Sequence, residues 1–76
     1  MSDLRKRFGN RLKRLRKRRG LTQKQLAEAV GLSVDFVGLV ERGLRAPSFD
    51  SLERLAQILQ ISVAGMFDSE GESHEQ

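Results

Sequence analysis

Apolar residues recur at helical spacing along almost the whole chain. The first apolar stripe is formed by Leu4, Phe8, Leu12 and Leu15, which step along the sequence by four, four and three positions. Side chains at this spacing lie on one face of an α-helix, because the helix completes a turn about every 3.6 residues. The pattern predicts a first helix that ends at Gly20, a residue type that commonly caps helix C-termini.

Two shorter helices are predicted next, separated by only three residues. Thr22 starts the first of them, and Gln25 is placed to complete a capping box with it. Gly31 ends that helix, and Ser33 caps the following one, which ends at Gly43. The apolar residues of the pair are Leu26, Ala27 and Val30, then Val34, Phe36, Val37, Leu39 and Val40.

The pattern of the remaining residues predicts two more helices and a tail. Pro47 and Ser48 indicate the start of a fourth helix. Its expected apolar face consists of Phe49, Leu52, Leu55, Ala56 and Leu59, and a last short helix holds Val63, Met66 and Phe67. Residues 68–76 contain no apolar side chain and are expected to form an acidic disordered tail. We therefore predict an all-α fold, a compact five-helix bundle, in a single domain spanning 1–67.

Size and composition exclude several classes of protein. A chain of 76 residues has room for one small hydrophobic core but not for a second domain. It contains no cysteine and a single histidine, His74 in the tail, so we expect no disulfide, no metal site, no cofactor and no enzyme activity. No apolar run approaches the roughly 18 residues of a membrane span, and a cytoplasmic protein without a membrane role or an evident small-molecule ligand is expected.

The formal net charge of +4 hides an uneven distribution. Residues 1–24 carry eleven Lys and Arg against the single Asp3, a net charge of +10, whereas residues 25–76 carry a net charge of −6. This asymmetry indicates a polyanionic partner, either a nucleic acid or an acidic membrane surface.

Ten of the positive charges lie between Arg5 and Arg19. Such a run often marks only a solvated helix face, but ten like charges on one short helix repel each other, which favours a phosphate-facing role. A membrane-surface helix is the weaker alternative, because Leu12 and Leu15 are needed to close the core.

The second and third predicted helices have the residues that a helix-turn-helix requires. Ala27 allows the two helices to cross closely, Gly31 takes the left-handed conformation of the tight turn, and Val37 fills the angle between them. This places the helix-turn-helix at residues 22–42. A larger set of motifs surrounds it, namely Leu15-Arg16, Arg19-Gly20-Leu21-Thr22-Gln23, Gln25-Leu26-Ala27, Gly31-Leu32-Ser33, Glu41-Arg42-Gly43, Arg45-Ala46-Pro47-Ser48, Leu52, Leu55-Ala56 and Phe67.

On these motifs, residues 12–67 resemble the Cro/cI-type helix-turn-helix regulators, also called XRE-like. The stretch from Phe8-Gly9 to Gly20 also resembles the controller proteins of restriction-modification operons. The resemblance implies a lambda-repressor-like fold and a transcriptional regulator whose partner is double-stranded DNA. The residues that it implies as phosphate contacts are Arg16, Thr22, Gln23, Lys24, Arg42 and Arg45. It also implies a structural pair, Arg16 with Glu41.

The third helix takes the place of the recognition helix in this resemblance. Its implied base-facing residues are Ser33, Val34, Asp35, Gly38 and Leu39. None of them can make the bidentate arginine-to-guanine contact that dominates specific readout. An alternative therefore stays open, in which the apolar face of this helix binds another protein, as in an interaction module or an antitoxin-like factor.

A homodimer is the expected assembly, because it would set two recognition helices in successive major grooves about 34 Å apart. The apolar residues that a domain of this size cannot all bury are Ile58, Ile61, Val63, Met66 and Phe67. The alternative is that some of them complete the core of the monomer.

Overall fold

A computed structural model of the chain describes residues 3–67, and the predicted tail at 68–76 lies outside them. This part of the chain forms five helices and no β-strand, which confirms the predicted all-α fold. The helices are α1 (Asp3–Arg18), α2 (Gln23–Val30), α3 (Val34–Glu41), α4 (Phe49–Leu59) and α5 (Val63–Met66). None of them is long and apolar enough to cross a membrane.

Side-chain caps begin α2 and α3 at the predicted positions. Thr22 Oγ1 accepts a hydrogen bond from the Gln25 amide at 3.0 Å, and Gln25 Oε1 accepts one from the Thr22 amide at 2.9 Å, which completes the capping box. Ser33 Oγ accepts from the Phe36 amide at 3.0 Å. Because these caps satisfy amides that have no acceptor within the helix, they define where each helix starts.

The turn between α2 and α3 depends on Gly31. Its φ of 76° and ψ of 29° place it in the left-handed region, which costs glycine little and other residues more. The next amide, that of Leu32, donates to the Ala27 carbonyl oxygen at 2.9 Å and closes the helix end. The two helices of the predicted helix-turn-helix therefore connect as expected.

The core contains apolar side chains from all five helices. Its buried members are Phe8, Leu12, Leu15, Leu26, Ala27, Val30, Val37, Val40, Leu52, Leu55, Ala56, Leu59 and Met66. Two residues predicted for apolar faces lie outside it, since Leu4 is 59% exposed and Phe49 is 84% exposed. Both lie in the first turn of their helix, where the Cα–Cβ bonds point toward the helix N-terminus and no preceding turn of the same helix lies beneath the side chain.

α1 approaches the C-terminal end of α3 unusually closely. A Cβ atom on Gly9 would lie 2.6 Å from the carbonyl oxygen of Glu41 and would also overlap that of Val40. A Cβ atom on Gly43 would lie 2.8 Å from Cγ of Lys6 and 3.0 Å from its Cα. Two glycines without side chains thus allow α1 to contact the backbone at the end of α3.

Candidate nucleic-acid interface

Arg16 and Glu41, which were expected to pair, connect α1 to the end of α3. Arg16 Nε donates to Glu41 Oε2 at 2.6 Å, and Nη2 donates to Oε1 at 3.1 Å. Nη1 donates to the carbonyl oxygen of Leu21 at 2.8 Å. The two side chains are only 8% and 2% exposed. This position conflicts with the predicted phosphate contact of Arg16, because its guanidinium is buried and hydrogen-bonded within the protein.

The same carboxylate positions a residue at the start of α2. Glu41 Oε1 accepts a hydrogen bond from Gln23 Nε2 at 3.0 Å. Arg16, Glu41 and Gln23 therefore form a continuous polar network across three helices. Its effect is to hold the Gln23 side chain at the N-terminus of α2 and on the face that it shares with α3.

The N-terminus of α2 has the features of an anion site. The Thr22 hydroxyl accepts from the Gln25 amide, so the first-turn amides that can still donate to an anion are those of Gln23 and Lys24. Thr22 and Lys24 are exposed, and Gln23 is half-buried. Helix termini of this kind bind phosphate because the amides point at the ligand and the helix dipole favours a negative charge.

A recess of about 350 Å³ lies between the start of α2 and the outer face of α3. It is lined by Gln23, Val34, Asp35, Gly38 and Arg42. The structure thus brings together two of the predicted phosphate contacts and three of the predicted base-facing residues. Their common surface is the outer face of the helix-turn-helix.

The other two predicted base-facing residues do not line this recess. Ser33 is exposed, but its hydroxyl caps α3. Leu39 is half-buried. Phe36 is also half-buried and packs against the core, so less apolar surface is exposed on α3 than its sequence suggests.

Arg45 does not line the recess that Gln23 and Arg42 share. It is exposed on the connection between α3 and α4. There it borders a separate apolar groove of about 180 Å³ whose other lining residues are Leu4, Arg5, Phe8, Ala46, Pro47, Leu52 and Phe67. The predicted phosphate contacts therefore do not all line one recess.

A second polar cleft, of about 300 Å³, adjoins the recess on the α1 side. It is lined by Lys6, Asn10, Lys13, Gln23, Glu41 and Arg42. In the sequence, the two lysines belong to one run of cations, and none of Lys6, Asn10 and Lys13 was among the predicted site residues. Their spacing is nevertheless a signal, because residues at i, i+4 and i+7 share one helix face.

The rest of the charge run is not uniformly exposed, contrary to the expectation of a phosphate-facing segment. Arg11 is buried, and its Nε and Nη2 donate to the carbonyl oxygen of Gly65 at 3.2 and 3.1 Å. Arg16 is buried as well. These two arginines join α1 to other helices, which is a structural role that a count of charges does not show.

Met66 was expected to contact a second copy, and this expectation is wrong. Its exposed fraction is 0%, because it completes the core of the monomer. Ile58, Ile61 and Val63 are half-buried against the same core. Phe67 remains 41% exposed, with its ring centroid 4.9 Å from that of Phe8. The apolar surface that a partner could contact is therefore smaller than predicted.

Within residues 3–67, no group of three or more His, Cys, Asp or Glu side chains is arranged to hold a metal ion. The polar side chains that line the recess are the amide of Gln23, the guanidinium of Arg42 and the carboxylate of Asp35. The first two are hydrogen-bond donors that suit the phosphates of a polyanion.

Comparisons with protein families, with individual proteins and with solved structures all identify helix-turn-helix proteins. The family of the helix-turn-helix domain matches residues 7–66. The HTH-type transcriptional regulator YazB of Bacillus subtilis, itself uncharacterized, is 42% identical over 55 residues, which cover 72% of this chain and 80% of that protein.

Two solved structures are similar in both fold and sequence. The restriction-modification controller protein C.AhdI from Aeromonas hydrophila has a TM-score of 0.80 and 41% identity, covering 87% of this chain and 98% of that one. SinR, a master regulator for biofilm formation solved in complex with DNA, has a TM-score of 0.75 and 34% identity, covering 80% of this chain and 98% of that one. Both resemblances predicted from the sequence are confirmed. The chain therefore belongs to the helix-turn-helix family of transcriptional regulators, of the Cro/cI type.

Proposed function

We propose that this protein regulates transcription by binding duplex DNA, with α3 in the major groove and the backbone held on both sides of it. The observation that carries the proposal is the recess in which the start of α2, the outer face of α3 and Arg42 meet. Residues 1–67 form the DNA-binding unit in this proposal. The role is non-enzymatic, and the site of action is the cytoplasm, where the protein has access to DNA.

The residues that line the recess fall into two groups, one suited to contact DNA phosphates and the other placed to contact base edges. Gln23, the first amides of α2 and Arg42 donate hydrogen bonds or carry positive charge, which suits phosphate oxygens and carries no sequence information. Val34 and Asp35 lie beside them on α3. In a major groove, the valine would contact thymine methyl groups and the aspartate would accept from a cytosine amine. We therefore expect strong backbone binding with modest discrimination between sequences.

Arg42→Ala is expected to weaken duplex binding without changing the preferred sequence. Removal of one phosphate contact makes the slope of log K against log salt concentration shallower by about 0.9. At about 0.1 M salt, this change in slope corresponds to roughly an eightfold loss of affinity. The measurement is a titration of a labelled duplex at several salt concentrations, together with selection of bound sequences from random duplexes. The matched control is Arg14→Ala, which removes an exposed arginine that does not line the recess.

The same titration decides between DNA and the protein-interaction alternative. A protein that binds through its apolar α3 face would show affinity for the duplex that is weak and equal in wild type and Arg42→Ala. That result would contradict the proposed function. A salt-dependent affinity that falls in Arg42→Ala but not in Arg14→Ala would support it.

A homodimer completes this proposal, because two-fold symmetry would present two α3 helices to adjacent turns of the duplex. The surface that supports it is the half-buried or exposed apolar set near α5, consisting of Ile58, Ile61, Val63 and Phe67.

Val63→Lys is expected to weaken self-association about tenfold or more, equivalent to about 1.4 kcal/mol, because it would place a charge within an apolar contact. Sedimentation velocity over a range of protein concentrations measures the change. Ala64→Lys is the control, since Ala64 is the exposed neighbour of Val63 on the same short helix. Equal effects of the two substitutions would show that the interface lies elsewhere.

A further inference from the structure

The cleft between α1 and the helix-turn-helix has a location set by the backbone. Gly9 faces the carbonyl oxygens at the end of α3, and Gly43 faces the backbone of Lys6. A Cβ atom at either glycine would overlap these neighbouring atoms and prevent the close approach. This close approach places Lys6 on the same cleft as Arg42, the residue that follows α3, although the two are far apart in sequence.

The charge of the cleft is strongly positive. Lys6, Lys13 and Arg42 supply three cations, and the only carboxylate in its lining is Glu41. That carboxylate is already paired with Arg16 at 2.6 Å and accepts from Gln23 at 3.0 Å. Its negative charge is therefore largely neutralised within the protein, and the net field in the cleft favours an anion.

The shape of the cleft suits an extended strand rather than a small enclosed ligand. It is polar, open to solvent and about 300 Å³ in volume. Lys6 and Lys13 are seven residues apart on α1, which is about 10 Å along the helix axis at 1.5 Å per residue. Successive nucleotides of one strand rise by about 3.4 Å, so the two ammonium groups are far enough apart to contact different phosphates.

We propose that Lys6, Asn10 and Lys13 form a second phosphate site, which extends the backbone contact of Gln23 and Arg42 along the same DNA strand. This inference rests on the proposed function. It assigns a binding role to one face of α1 only. Lys17 follows on the same face, one turn beyond Lys13, but does not line the cleft. The other cations of the helix lie on other faces or, like Arg11 and Arg16, are buried.

The decisive variant is Lys6→Gln with Lys13→Gln. Glutamine keeps the Cβ and Cγ atoms, including the Cγ of Lys6 that lies near Gly43, and replaces the charged ammonium end by a shorter neutral amide. The matched control is Arg7→Gln with Arg14→Gln, which removes two exposed charges at the same seven-residue spacing. These arginines follow the lysines by one position, which rotates them about 100° around the helix axis, and neither lines the cleft.

The measurement is the affinity of each full-length variant for one labelled duplex of about three helical turns, over a range of salt concentrations. The lysine pair is expected to lower the slope of log K against log salt by about 1.8 and the affinity at about 0.1 M salt by roughly 60-fold. The control variant, Arg7→Gln with Arg14→Gln, removes no proposed phosphate contact and lowers only the overall positive potential of the protein. It is expected to change the slope by less than half as much. Thermal melting of each variant verifies that it is folded.

The outcomes separate this inference from the proposed function. If wild type shows no salt-dependent binding, the proposed function fails and the cleft assignment fails with it. If wild type binds and Arg42→Ala weakens binding, but the lysine pair has no larger effect than the arginine pair, only the cleft assignment is overturned.

A gain of charge provides the complementary test. Asn10→Lys would add a third cation between Lys6 and Lys13 on the same face of α1. The slope is then expected to become steeper by about 0.9. An unchanged slope in a folded Asn10→Lys variant would overturn the assignment, because a phosphate in the cleft would respond to an added positive charge.

Discussion

Glu41→Ala is expected to lower the free energy of unfolding by about 3–5 kcal/mol, because it leaves a buried arginine without its counter-charge. Arg16 donates two hydrogen bonds to this carboxylate, and Gln23 donates a third. The alanine variant therefore also leaves buried donors without an acceptor. For a domain of this size, the melting temperature should fall by about 12 °C or more.

Thermal and urea unfolding followed by circular dichroism would measure this loss. Glu28→Ala is the control, since it removes an exposed glutamate from α2 and is expected to change stability by no more than about 0.5 kcal/mol. A double variant, Arg16→Met with Glu41→Leu, should recover most of the stability, because replacing both members of a buried pair by apolar residues removes the desolvation cost. A Glu41→Ala transition as high as that of Glu28→Ala would contradict the burial of the pair.

Gly9→Ala and Gly38→Ala are expected to change stability in opposite directions, although each adds one methyl group to a helix interior. At Gly9 the new Cβ would lie 2.6 Å from the carbonyl oxygen of Glu41. Backbone atoms cannot move aside as a flexible side chain can, so α1 would have to separate from α3. We expect a loss of about 1–3 kcal/mol or more, as for other overpacked contacts.

At Gly38 the new Cβ would lie 3.8 Å from the side-chain nitrogen and oxygen of Gln23, which is an ordinary contact distance. Alanine is favoured over glycine in a helix by about 0.5–1 kcal/mol, so Gly38→Ala should stabilise the protein by that amount. Urea denaturation of the two variants and of wild type measures the change in the free energy of unfolding that each substitution causes, including its sign. Stabilisation by Gly9→Ala would show that α1 does not contact α3 as closely as the structure indicates.

Most of the secondary structure could be predicted because its determinants are local. Thr22 and Ser33 mark helix starts by hydrogen bonds to amides three residues ahead, and Gly31 marks a turn by its own conformation. The exposure of Leu4 and Phe49 could not be predicted in this way. Helical periodicity identifies a face, but it does not show that the first turn of a helix extends beyond the bundle.

The candidate site was only partly predictable for a related reason. The family resemblance pointed to Gln23 and Arg42, and the structure places both at one recess. The cleft at Lys6 depends on the contact of Gly43 with α1, which joins residues distant in sequence. The burial of Arg11 against Gly65 is equally long-range. A run of like charges contains no information about which of its members another helix will cover.

The exposed cations of α1 also link ionic strength to stability. They are Arg5, Lys6, Arg7, Lys13, Arg14, Lys17 and Arg18. In the unbound protein they repel each other across distances comparable to the Debye length, which is about 10 Å at 0.1 M salt. Added salt screens this repulsion and stabilises the free fold, while it weakens binding to a polyanion. Thermal stability and DNA affinity should consequently change in opposite directions as ionic strength rises.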